Sequence, residues 1–123
     1  MTKISDAEQI IMEALWKQNP LTAHEVVAET AEPNGWSDAT VRTLLNRLLK
    51  KEAISAEKVN RQYLYRPLLE CNAFVKTESQ KFLGRFFDGK LAPFVSQFVG
   101  ENGLKEQDIT ELKQLLKDIE DAE

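Results

Sequence analysis

The stretch from Trp36 to Glu52, WSDATVRTLLNRLLKKE, constrains the fold more than any other part of the chain. Val41, Leu44, Leu45, Leu48 and Leu49 recur at i, i+3, i+4, i+7 and i+8, the spacing of a helix that lays one stripe against a core. Ser37 is placed as its N-cap, where a hydroxyl can accept from an otherwise unpaired first-turn amide. The opposite face carries Ala39, Thr40, Arg42, Thr43, Asn46, Arg47 and Lys50. Short side chains allow a close backbone approach, and arginine can pair bidentately with guanine for roughly 1–3 kcal/mol of discrimination, so this face suits a DNA major groove. An ordinary surface helix also backs a leucine stripe with polar residues, and only the flanking sequence separates the two readings.

That flanking sequence is helical on one side and extended on the other. Ser5-Asp6-Ala7-Glu8 is a capping box, and Ile4, Ala7, Ile11, Ala14 and Leu15 follow at helical spacing, with Met12 and Trp16 widening the stripe. This predicts a first helix that runs to about Gln18 and is stopped by Asn19-Pro20. Thr22-Ala23-His24-Glu25 is a second capping box, opening a helix of about three turns that ends before Glu32-Pro33-Asn34-Gly35. With the third helix capped by Ser37, the second and third form a helix-turn-helix-like unit. Beyond Glu52 the period changes. Ile54 to Lys58 and Gln62 to Arg66 alternate as two strands around a turn at Val59-Asn60-Arg61, and Pro67 ends the second. Three helices followed by a hairpin is the winged-helix order, and it would set Lys58 and Arg61 beside a phosphate backbone.

Charge supports the same division. The chain carries −4 overall, but residues 37–66 carry +4, against −4 for residues 1–36, +1 for 67–100 and −5 for 101–123. A net-acidic protein can bind DNA when its positive charge is gathered on one face, because the electrostatic gain depends on local phosphate contacts. The single cysteine, Cys71, excludes an intrachain disulfide and makes the cytoplasm the expected location. The start MTKISDAEQ leads straight into capped helix, and there is no apolar run of about 18 residues, so neither a secretory leader nor membrane insertion is expected. His24 has no second His or Cys near it and reads as a surface residue, and Cys71 reads as a small half-buried side chain, so no metal and no cofactor are expected. Without a nucleophile elbow or a glycine-rich phosphate loop, enzyme activity is not expected either.

From Glu70 onward the pattern is helical only. Phe74, Phe82, Leu83, Phe86 and Phe87 precede a break near Gly89, Leu91, Phe94, Val95, Phe98 and Val99 follow at helical spacing, and Gly100 and Gly103 mark a second break. A last helix from about Lys105 carries Ile109, Leu112, Leu116 and Ile119 at 3-4-3 spacing, with Leu115 beside them. So short a segment cannot enclose so many large side chains by itself, and burial against a second copy is the economical solution. The expected homodimer interface is Phe82, Phe86, Leu91, Phe94, Val95, Phe98, Ile109, Leu112, Leu116 and Ile119.

The expected protein is therefore mainly α: an N-terminal winged helix-turn-helix over residues 1–68, with three helices and a two-stranded β wing, followed by an all-helical dimerisation domain over 69–123. The residues expected at double-stranded operator DNA are Ser37, Ala39, Thr40, Arg42, Thr43, Asn46, Arg47 and Lys50 on the third helix, and Lys58 and Arg61 on the wing. A two-fold dimer implies a palindromic operator. The alternative is a winged-helix module that holds a protein partner and never meets DNA.

Ser5-Asp6-Ala7-Glu8 leading into Ala14-Leu15-Trp16, then Trp36-Ser37, Thr40 to Leu48 and Tyr63-Leu64-Tyr65, together resemble the penicillinase-repressor family, also called BlaI/MecI/CopY. Phe82-Leu83 and Leu91 to Val99 are similar to that family's dimerisation segment. The resemblance implies a dimeric bacterial winged-helix repressor of β-lactamase, penicillin-binding-protein or copper-transport genes. It assigns Thr40, Arg42, Thr43 and Arg47 to the groove, while Ala39 replaces the lysine common in the family and could instead touch a thymine methyl. The copper-responsive branch ends in paired cysteines, and no cysteine follows Cys71, so a copper-operon repressor here would lack that hook. In the antibiotic-responsive branch a membrane sensor-protease inactivates the repressor at an Asn-Phe bond, and the matching candidate site is Gln97-Phe98.

Overall fold

The computed structural model describes residues 3–99 and 103–122, so Gly100, expected at a break, lies outside the described residues. Among the described residues six helices and three short strands follow the order α1 (Asp6–Lys17), β1 (Leu21–Thr22), α2 (Ala23–Asn34), α3 (Asp38–Lys50), β2 (Ile54–Val59), β3 (Gln62–Pro67), α4 (Cys71–Phe86), α5 (Leu91–Ser96) and α6 (Glu106–Asp121). They divide into two compact units, Met1–Val75 and Lys76–Glu123.

In the first unit the capping boxes form as the spacing predicts. Ser5 Oγ accepts from Glu8 N at 3.2 Å while Ser5 N donates to Glu8 Oε1 at 2.8 Å, and Thr22 and Glu25 make the same reciprocal pair. One expectation is corrected, and one strand is added to the expected two-stranded wing. α2 continues through Pro33 to Asn34, because a proline in the last turn removes only one helical hydrogen bond, where its neighbours are exposed. Gly35 then ends the helix at φ +66, with Gly35 N donating to Glu32 O and Trp36 N to Ala31 O. The sheet has three strands in the order β1-β3-β2, all antiparallel, with Leu21 opposite Tyr65 and Thr22 opposite Leu64. A two-residue strand has no period that could announce it.

The wing itself keeps tight register, from Ile54 opposite Pro67 to Val59 opposite Gln62. Its loop is only Asn60-Arg61, both at positive φ (49° and 69°), the backbone pattern of a type I′ turn. The buried stripe of α3, Val41, Leu44, Leu45 and Leu48, packs with Ile11, Met12 and Leu15 of α1, Val26 of α2, and Ile54 and Tyr65 of the sheet. Each such buried side chain removes apolar area worth roughly 1.5–3 kcal/mol from water. The core also takes in the start of α4, since Phe74 is buried against it, its ring 5.6 Å from that of Trp16, whose Nε1 donates to Leu69 O at 2.8 Å. Cys71, expected to be half-buried, is exposed.

In the second unit Phe82, Phe86, Phe87, Phe94 and Phe98 form a chain of tilted and edge-on ring contacts with centroids 5.0–6.0 Å apart. α5 covers only Leu91–Ser96, shorter than its apolar spacing predicts. None of α4, α5 or α6 has a buried residue beyond Phe74.

Candidate nucleic-acid interface

Every residue expected on the outer face of α3 is exposed: Ala39, Thr40, Arg42, Thr43, Asn46, Arg47 and Lys50, with Ser37 at its cap. Ser37 Oγ accepts from Thr40 N at 3.1 Å and lies 3.1 Å from Thr40 Oγ1, so this hydroxyl is already engaged within the chain. At about 100° per residue, Ala39, Thr43, Asn46 and Lys50 follow one line along the helix, while Arg42 and Arg47 stand about 140° apart on opposite flanks. Asp38 in the first turn and Arg47 and Lys50 in the last both suit the helix dipole.

The basic residues of this region separate into two groups. Lys51 turns inward, its Nζ 2.5 Å from Glu8 Oε1 and 2.8 Å from Lys3 O, and Arg66 pairs with Glu57 at 2.9 Å. Among the described residues Arg42, Arg47, Lys50, Lys58 and Arg61 are in no ion pair, and all five are exposed. Glu8 is buried. Burial pushes its carboxyl up, but the Lys51 ammonium and the Ser5 amide and hydroxyl outweigh this and hold it below the usual carboxylate range.

Sequence reasoning passed over one feature. The start of α2, the middle of α3 and the wing enclose a cleft of about 200 Å³, lined by Thr22, His24, Arg42, Arg61, Gln62 and Tyr63 among others, with no carboxylate among the described residues. The capping box of Thr22 signals where α2 begins, yet nothing in a linear pattern says that His24 and Tyr63 meet Arg42 and Arg61. Among the described residues no group of three His, Cys, Asp or Glu side chains could hold a metal, and no helix is long and apolar enough to cross a membrane.

In the second unit the expected interface residues are mostly open to solvent: Phe82, Phe86, Leu91, Phe98, Ile109, Leu116 and Ile119 are exposed, and Phe94, Val95 and Leu112 half-buried. Gln97 follows the end of α5, and it and Phe98 are exposed.

The winged helix-turn-helix, with its exposed face on α3, is also what comparison with known proteins returns. The family model described as "Penicillinase repressor" matches residues 4–118. The chain belongs to the penicillinase repressor family. It is 34% identical over 116 residues to the penicillinase repressor of Bacillus licheniformis, covering 94% of this chain and 91% of that protein. Among solved structures, the DNA binding domain of the repressor BlaI matches with a TM-score of 0.53 and 36% identity, covering 59% of this chain and 93% of that one. The monomeric form of Bacillus licheniformis BlaI in complex with the blaP half-operator matches with the same TM-score and 35% identity, covering 58% and 88%.

Proposed function

We propose that this penicillinase-repressor family member, a DNA-binding transcriptional repressor, acts in the cytoplasm as a homodimer on a two-fold symmetric operator, without enzymatic activity. The observation that carries this reading is α3: its leucine stripe is consumed by the core, and its other face leaves short polar side chains, and cations unpaired among the described residues, in the open. Thr40, Thr43, Asn46 and Arg47 are the side chains proposed for base edges, with Lys50, Lys58 and Arg61 on the backbone and Ala39 giving close approach. Regulation of a β-lactamase or penicillin-binding-protein operon, with inactivation by a sensor-protease at Gln97-Phe98, is the further reading that family membership supports.

Salt dependence tests the reading. If the dimer neutralises on the order of six to ten phosphates, affinity falls by about 10³- to 10⁵-fold between 50 and 200 mM salt. A flat salt profile would point to a protein partner instead. Arg47→Ala is expected to erode sequence preference by roughly 1–3 kcal/mol at one position of each half-site, measured by competition between single-base variants of a selected operator. An unaltered preference profile would remove Arg47 from the groove.

The wing gives a second test. Arg61 occupies a left-handed backbone position where glycine is at ease, so Arg61→Gly relieves strain of about 1 kcal/mol while deleting a cation. The expected result is a thermal midpoint equal to or above the parent's, together with weaker binding to operator and unrelated duplex alike. Full affinity in this variant would show that the wing does not touch the backbone.

A further inference from the structure

The cleft between α2, α3 and the wing joins two arginines that the sequence would assign to different tasks. Arg42 sits on the flank of α3 that borders the wing, away from Arg47, and shares its cleft with Arg61. Among the described residues neither guanidinium has an ion-pair partner and no acidic side chain lines the cleft, while Thr22, His24, Gln62 and Tyr63 add polar groups around the same space. Two arginines facing one cavity repel unless an anion lies between them, and arginine's planar fork matches a phosphate. At about 200 Å³ the cavity falls below the roughly 300–1,000 Å³ of small-molecule sites. A backbone phosphate, delivered as part of a duplex, needs no enclosed pocket.

We infer that this cleft seats one phosphate of the DNA backbone, gripped from the α3 side by Arg42 and from the wing side by Arg61, with Thr22, His24 and Tyr63 completing its rim. Arg42 is thereby a positioning residue that locks α3 in register, and base reading falls to the other residues of the face. The inference rests on the DNA-binding reading above and goes beyond it by taking Arg42 out of the groove.

The test is a double-mutant cycle run on modified DNA. A duplex selected by the wild-type protein from random sequence, and an unrelated duplex, are titrated with wild type, Arg42→Ala, Arg61→Ala and the double variant. Each operator phosphate is replaced in turn by a neutral methylphosphonate, and circular dichroism checks that the variants fold. Each single variant is expected to lose about 10- to 100-fold on both duplexes, as for one charge-assisted contact. The double variant should lose less than the product, because the two arginines share a partner. One methylphosphonate per half-site should remove the penalty of both singles. A changed base preference in Arg42→Ala, multiplicative losses, or two different sensitive phosphates would overturn the shared seat and leave DNA binding intact. Failure of the wild type to select any duplex would overturn both.

Discussion

Leu116→Asp is expected to turn the protein into a monomer and to lower its affinity for a full operator by about 10²- to 10⁴-fold, the range by which linking two sites exceeds one. Leu116 is 57% exposed in the isolated chain, so a carboxylate there costs the folding of one subunit little. It matters only if a partner covers it. Eight other large apolar side chains of the second unit are likewise exposed: Phe82, Phe86, Leu91, Phe98, Val99, Ile109, Leu115 and Ile119. Soluble monomers seldom leave so much apolar surface uncovered, and stable interfaces bury about 1,200–2,000 Å². Sedimentation equilibrium and titration of full and half operators check the prediction together. Affinity for a half-operator should be nearly unchanged, since the residues proposed to face DNA lie in the first unit. A variant that stays dimeric would move the interface elsewhere.

Lys51→Ala is expected to destabilise the first unit by about 3 kcal/mol at neutral pH, the low end for breaking a buried pair because Lys51 retains some solvent access. The substitution leaves the Glu8 carboxylate buried without its cation, and one of its oxygens, Oε2, already has no hydrogen-bond partner among the described residues. Glu8→Gln should cost less, because Lys51 can turn to solvent and glutamine still completes the capping box with Ser5. The sign of the pH effect follows from the lowered carboxyl of Glu8. In the parent its stabilisation is complete above the ordinary value of 4.5 and is lost as pH falls through the lower folded value. In Lys51→Ala burial acts with less opposition and the carboxyl protonates more readily, so the deficit against the parent narrows as pH is lowered. Urea unfolding of both proteins across the acid range measures this, and a deficit independent of pH would mean that Lys51 acts through packing alone. Because Lys51 directly follows α3, the same pair ties that helix to the start of α1.

Local chemistry made much of the first unit readable. A capping box needs only residues three apart, and a buried helical stripe only a 3.6-residue period, so Ser5, Thr22, Ser37 and the leucines of α3 announce their helices wherever the chain goes. Pro33 was a poorer guide: a proline's cost depends on how many helical bonds remain to be lost, and near the end of α2 that is one. The exposed face of α3 was legible for the same reason as its buried one, since whatever is not packed on the core must face outward.

What depended on distant parts of the chain was not legible. β1 exists only because Leu21 and Thr22 find β3 more than forty residues later. Lys51 looks like one more cation of a basic stretch until Glu8, forty-three residues away, claims it. Arg42 looks like Arg47 until the wing folds back beside it. Sequence by itself determined which segments are helix or strand and which face of each is apolar, because those properties are settled within a few residues by hydrogen-bond geometry and side-chain period. Only the tertiary structure decided which charges are spent inside the protein and which converge on a common cleft, because Coulomb and hydrogen-bonding partners are chosen by proximity in space, which no local spacing records.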